Sequence, residues 1–167
     1  MKKVLKFAGL CAAVLALIAF ILVLATTGVF YKYGNTRYDY EGTVVLFGAT
    51  KETWLGTTKI NPAATGLIGW ILIIVAIVVL VLNFVLPLLK VTALAKFAGI
   101  LNLAAVCLLI VAGVLLFVSV PAFTSANDWD AENANLGAGW VVAGILAILG
   151  GLVALAPAAV EFVGKKK

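Results

Sequence analysis

The chain has no histidine. The commonest general base and the commonest transition-metal ligand are therefore missing. Charge is scarce too: charged residues make up 11% of 167, against about a quarter in a soluble domain. Only two cysteines occur, Cys11 and Cys107, both inside apolar runs, so no disulfide staples the loops. They read as small buried apolar side chains. Leu10 stands before Cys11 where a lipoprotein signal needs a small residue. No phosphate-cradling glycine loop, metal-ligand spacing, Ser-His-Asp set or Cys-His set can be found, and no cofactor is expected. The net charge of +5 does not signal nucleic acid, because no basic and aromatic residues interleave over a soluble module.

What is present is apolar. Hydrophobic residues reach 65% and the mean hydropathy is +1.21. Four runs, residues 4–27, 64–89, 92–120 and 136–163, are each long enough to cross a bilayer core, which takes roughly 20 apolar residues. The first exceeds the apolar core of about 7–15 residues of a secretory signal, and it reads as a retained helix. The fold class expected is an all-α membrane protein: one domain, a four-transmembrane-helix bundle with a small antiparallel β-sheet in its first extracellular loop.

The link between the second and third runs is short, with Lys90 in it and Lys96 early in the third run, so these spans form an antiparallel pair with the bend inside. Eight of the twelve Lys and Arg then lie inside and six of the seven carboxylates outside, Glu161 being the exception. Both termini are expected in the cytoplasm, with the chain multi-pass in a plasma membrane. A set of basic residues that is nearly all lysine fits a bacterial inner membrane.

The first outer loop, residues 28–62, is β-prone. Gly34-Asn35 is a two-residue hairpin signal between aromatic and β-branched segments. Pairing across it sets Tyr33 opposite Thr36, Tyr31 opposite Tyr38 and Val29 opposite Tyr40. One face then carries Val29, Tyr31, Tyr33, Tyr38 and Tyr40; the other carries Phe30, Lys32, Arg37 and Asp39. Residues 43–47 read as a third strand and 51–55 as a fourth. The second outer loop, residues 121–135, holds Asp128, Asp130 and Glu132. This is a solvated acidic loop without the length or glycine of a calcium-binding hand. The four tryptophans, Trp54, Trp70, Trp129 and Trp140, map near the outer boundary, where indoles favour the interface.

Within the spans, Gly139, Ala143, Ala147 and Gly151 form a small-residue ridge, matched by Ala8, Ala12 and Ala16. Such ridges let helices approach in lipid, so the first and fourth helices are expected to pair. Asn83 and Asn102 lie at nearly equal depth on either side of the bend. They bond to each other, or each amide bonds a different neighbour or its own helix. Pro87 and Pro157 are expected to bend or loosen the final turns of the second and fourth helices.

No ionisable residue occupies the middle depth of any run, which weighs against a proton relay, ion pump or voltage sensor. The function expected is a non-enzymatic structural, accessory or protein-interaction role. Tyr31, Tyr33, Tyr38, Tyr40 and Trp54 form the candidate surface, the bilayer is one partner, and a homo-oligomer or another membrane protein is the other. The alternative is a small channel or transporter subunit with a path past Asn83, Asn102 and Ser119. A membrane enzyme comes third.

Inner termini, a large β-prone first outer loop, a short inner turn and a smaller second outer loop together resemble the claudin-type tetraspan plan. Claudins carry a Trp, then Gly-Leu-Trp, then two cysteines in that first loop; here it holds Trp54-Leu55-Gly56 and no cysteine. The resemblance lies in layout. It implies a left-handed bundle topped by a sheet, with adhesion or lateral assembly as the use, and it assigns no functional residues.

Overall fold

The computed structural model describes residues 2–89 and 97–163, with backbone only at 2–6, 53 and 161–163. The expected bend with Lys90 and Lys96, the terminal lysines and the side chain of Glu161 fall outside the described residues. Four long helices dominate: α1 (Lys2–Ala25), α3 (Ala64–Val85), α4 (Ala98–Phe117) and α6 (Ala138–Val163). Each contains a stretch long and apolar enough to span a membrane, with mean hydropathy between 2.4 and 3.0. In lipid the backbone must satisfy its own hydrogen bonds, and a continuous helix does so. The protein is a four-helix membrane bundle with a tetraspan layout.

Helix α1 packs on α3 and α6, and α4 packs on the same two, which closes a ring of four. On α1 and α6 the two faces sort by size rather than polarity. On α1, Ala12, Ala16, Ala19 and Val23 face inward, while Leu10, Val14, Leu17 and Ile21 face out. On α6, Ala143, Ala147 and Ala154 are buried and Val142, Ile145, Leu149 and Leu152 are exposed. Large side chains gain nothing by leaving lipid, whereas small ones allow backbones to approach. Helices α4 and α6 cross closely. A methyl group added at Gly113 would come within 2.7 Å of the Gly144 carbonyl oxygen and 2.6 Å of Ile148. Cys11 and Cys107 lie on the outward face, exposed, against the expectation of burial. Their positions fall with Leu10 and Val14, and with Leu103 and Val111, on the large-residue side of their helices.

The ends of the helices that carry the long loops are capped. Strands β1 (Thr27–Tyr33) and β2 (Thr36–Glu41) form a hairpin, and β5 (Ala134–Leu136) adds a third strand in the order β2-β1-β5. Val29 pairs with Tyr40, Tyr31 with Tyr38 and Tyr33 with Thr36, the register read from the turn. The segment expected as a third strand is instead a helix, α2 (Gly42–Phe47). As a strand it would alternate faces and leave Val45 and Leu46 on opposite sides. One helical turn buries both together with Gly42. Strands β3 (Ala49–Thr53) and β4 (Gly56–Ile60) make a separate two-stranded ribbon, so the strand expected over 51–55 is met only at 51–53: Trp54 and Leu55 form the turn, and the ribbon is a sheet of its own. The second long loop begins helically, as α5 (Ser119–Ala126). Val118 breaks α4 with φ −90° and ψ 13°, and Pro121 sits in the first turn of α5, where its missing N–H costs nothing. Helix α6 runs through Pro157 to Val163.

Candidate functional site

The capped end is built around Trp140, which is fully buried. Its indole N–H donates to the backbone oxygen of Val23, 2.9 Å away, near the end of α1. Two glycines of the first long loop and one of α3 make room for the ring. A methyl group at Gly28 or Gly66 would fall 3.0 Å or less from the indole carbons, and one at Gly42 would strike the Val23 carbonyl. Trp140 is thus a core residue that joins three helices to the loop, not an interfacial anchor.

Above it lies an aromatic layer. Trp129 packs against Tyr31 and Tyr40 at 5.2 Å and edge-on to Phe123 at 5.6 Å. Asp128 places it there. With φ 55° it ends α5 in a left-handed turn that sends the Trp129 N–H back to the Thr124 oxygen at 2.9 Å. Burial pushes the Tyr40 phenol above its ordinary range, and neighbouring Tyr38 and Tyr31 add to the shift.

The two long loops are also tied by a pair of asparagines. The Asn61 N–H donates to Asn127 Oδ1 at 2.7 Å, and Asn127 Nδ2 donates to the Asn61 oxygen at 3.0 Å. The Asn61 amide reaches the Ala126 oxygen at 2.9 Å and the Asn127 amide the Phe123 oxygen at 2.8 Å. This clasp joins the exit of the ribbon to the end of α5. Neither residue was singled out from the sequence, and the only signal was local: Asn61 precedes Pro62, and Asn127 sits at a helix end.

The expected aromatic surface divides along its length. Tyr31 and Tyr40, near the root of the hairpin, are half-buried in the aromatic layer. Tyr33 and Tyr38 lie on the same face but beyond that layer, 73% and 48% exposed. On the opposite face Arg37 Nε bonds Asp39 Oδ1 at 2.7 Å, and its guanidinium sits 4.0 Å from the centre of the Phe30 ring. Trp54, at the turn of the ribbon, is 92% exposed, with Leu55 beside it at 78%.

The small-residue ridge turns as it descends. Four residues advance a helix by 400°, so a four-residue repeat drifts about 40° per step. Gly139 faces Thr26 (the residue after α1), Ala143 and Ala147 are fully buried, and Gly151 faces Val106 and Ile110 of α4. Asn83 donates to the Ala98 oxygen at 3.3 Å, and Asn102 is buried one turn beyond. Ser119 lies at the other end of the bundle, bonded to the Leu115 oxygen at 2.9 Å. Fully buried Ala105, Leu109, Ala112 and Leu116 stand between these polar groups, so the three do not form a continuous polar path. A shallow apolar groove of about 230 Å³ opens between α1 and α3, lined by Leu17, Phe20, Ile74, Ile77 and Val78. At its upper end Trp70 stacks on Phe20 at 5.4 Å. No cluster of three His, Cys, Asp or Glu that could hold a metal occurs among the described residues.

Compared with known protein families and with curated proteins, the chain matches none.

Proposed function

We propose that this chain is a non-enzymatic membrane protein whose sheet-bearing end is an interaction surface on the outside of the cell. Both termini lie in the cytoplasm, in a plasma membrane of bacterial type, and the layout is that of a claudin-like tetraspan. The observation that carries the reading is the contrast within the cap. Its interior is closed by Trp140 and the aromatic layer, yet Tyr33, Tyr38, Trp54 and Leu55 stand exposed. Exposed aromatics of this kind supply contact area at interface centres. The lysine distribution supports the orientation, with eight of the twelve basic residues in the sequence lying outside the two long loops. The absence of histidine and of an acid or base at membrane depth supports a role without catalysis.

Two measurements test this. A membrane-impermeant maleimide should label an engineered thiol at Thr58 in intact cells and spare one at Ala93; the reverse pattern overturns the orientation. Photoreactive phenylalanine analogues at Tyr33, Tyr38 and Trp54 should yield discrete protein adducts in the native membrane. A smear of random neighbours and lipid alone would sink the interaction role.

A further inference from the structure

Strand β2 is the edge of the three-stranded sheet. Residues 36–39 are all exposed, with Arg37 and Asp39 about half so. A free edge offers its backbone N–H and C=O groups to another strand, and proteins usually discourage this with charge. Here the charges are arranged otherwise. Read as Thr36-Arg37-Tyr38-Asp39-Tyr40, the strand has a basic and an acidic residue placed symmetrically about one tyrosine. We propose that β2 pairs antiparallel with β2 of a second copy of this chain, centred on Tyr38, so that Arg37 of each copy lies opposite Asp39 of the other. This rests on the sheet-bearing end being an interaction surface and names its occupant.

The backbone permits this register. Tyr33 and Thr36 flank a two-residue turn and exchange both hydrogen bonds, so along the hairpin the bonded pairs are 33–36, 31–38 and 29–40. The N–H and C=O groups of Thr36, Tyr38 and Tyr40 therefore point toward β1. Those of Arg37 and Asp39 point to the open edge. A ladder centred on Tyr38 sets these two outward-pointing residues directly against each other, as bonded pairs. Moving the centre to Arg37 or to Asp39 would oppose like charges there, so charge selects the Tyr38 register.

The geometry also decides how the two copies stand. Antiparallel strands related by a two-fold have their axis normal to the sheet. The face bearing Val29, Tyr31 and Tyr40 packs on Phe123 and Trp129, and an axis normal to the sheet keeps that face, with the bundle beneath it, on the same side in both copies. The pairing joins copies in one membrane and makes a continuous six-stranded sheet. Tyr38 meets its own counterpart in a non-bonded pair, with Cα atoms about 4.5 Å apart.

That spacing falls within disulfide reach. The test uses the full chain in native membranes with Cys11→Ala and Cys107→Ala. Under mild oxidation, Tyr38→Cys should couple into dimers far more than Thr50→Cys, an exposed control on β3. Adding Arg37→Asp, or Asp39→Arg, should lower coupling at position 38 by about ten-fold or more. Co-expressing the two charge variants should restore a mixed dimer, because each supplies the charge the other lacks. The swap Arg37→Asp with Asp39→Arg in a single chain keeps both the internal pair and the self-complementarity, so it should couple as the parent does. An unchanged thermal midpoint in detergent separates loss of pairing from loss of fold. The pairing is wrong if thiols at 38 couple no better than thiols at 50, or if the mixed pair stays as uncoupled as either variant alone. Should the photoreactive probes capture a different protein while position 38 never couples, the interaction role stands and this pairing falls.

Discussion

The first long loop makes two hairpins of similar length with different fates. The β1–β2 hairpin is held from below by the aromatic layer, from one side by β5, and at its root by Gly28 and Gly42 against Trp140. The β3–β4 ribbon buries Ile60 and leaves both its faces in solvent. Two strands alone are marginal in water, and a third strand with an apolar face changes that. Local turn chemistry thus makes a hairpin, but packing decides whether it is a rigid platform or a mobile arm.

The largest expected blow to this contrast is Trp140→Ala. It removes a fully buried indole, leaves the Val23 carbonyl unpaired, and should cost about 3–5 kcal/mol. Thermal unfolding in detergent would read the loss, and hydrogen exchange should show β1 and β2 becoming as unprotected as β3 and β4. If β1 stays protected, Trp140 is not what holds it.

Next is Asn127→Ala, which strips the clasp and leaves polar groups of Asn61 without partners. A cost of about 1–3 kcal/mol is expected. The change in exchange should centre on Ile60 to Ala63, at the ribbon's root, with β1 little affected.

A smaller effect comes from alkali. The Tyr40 phenol titrates higher in the folded protein than in the unfolded chain. Its contribution to stability is therefore complete below the ordinary tyrosine range and is lost as pH rises through the raised value. Unfolding midpoints should hold to about pH 10 and then fall, and Tyr40→Phe should flatten that decline. The smallest effect is expected from Trp54→Ala, within about 0.5 kcal/mol of the parent. Trypsin should cut at Lys51 and Lys59 well before Lys32 and Arg37. Cleavage of the first hairpin first would erase the distinction between the two.

Which features could be read from the sequence follows the same division. The spans, the Gly34-Asn35 turn and the pairing of Tyr31 with Tyr38 were legible because hydropathy, turn chemistry and two-residue alternation are local. Residues 43–47 were not: a β-branched run becomes a helix because Gly42 must lie on the Val23 carbonyl and one turn buries Val45 and Leu46 together. Strand β5 has three residues and no pattern of its own; it exists because Gly137 bonds the Gly28 oxygen and lays the chain beside β1. The asparagine clasp spans 66 residues, beyond any window. Among the candidate surface residues, alternation grouped the four tyrosines on one face. It could not show that Tyr31 and Tyr40 sit over the bundle while Tyr33 and Tyr38 overhang it.

The bond from Trp140 to Val23 also sets an order of events. Its two ends are 117 residues apart, one on α1 and the other on α6, the earliest and the latest made of the four described spans. A nascent chain with three spans in the bilayer has neither the indole that fills the space under Gly28 and Gly42 nor the strand that flanks β1. The platform can close only when synthesis of α6 is under way, so a chain stalled before that point would present an open cap.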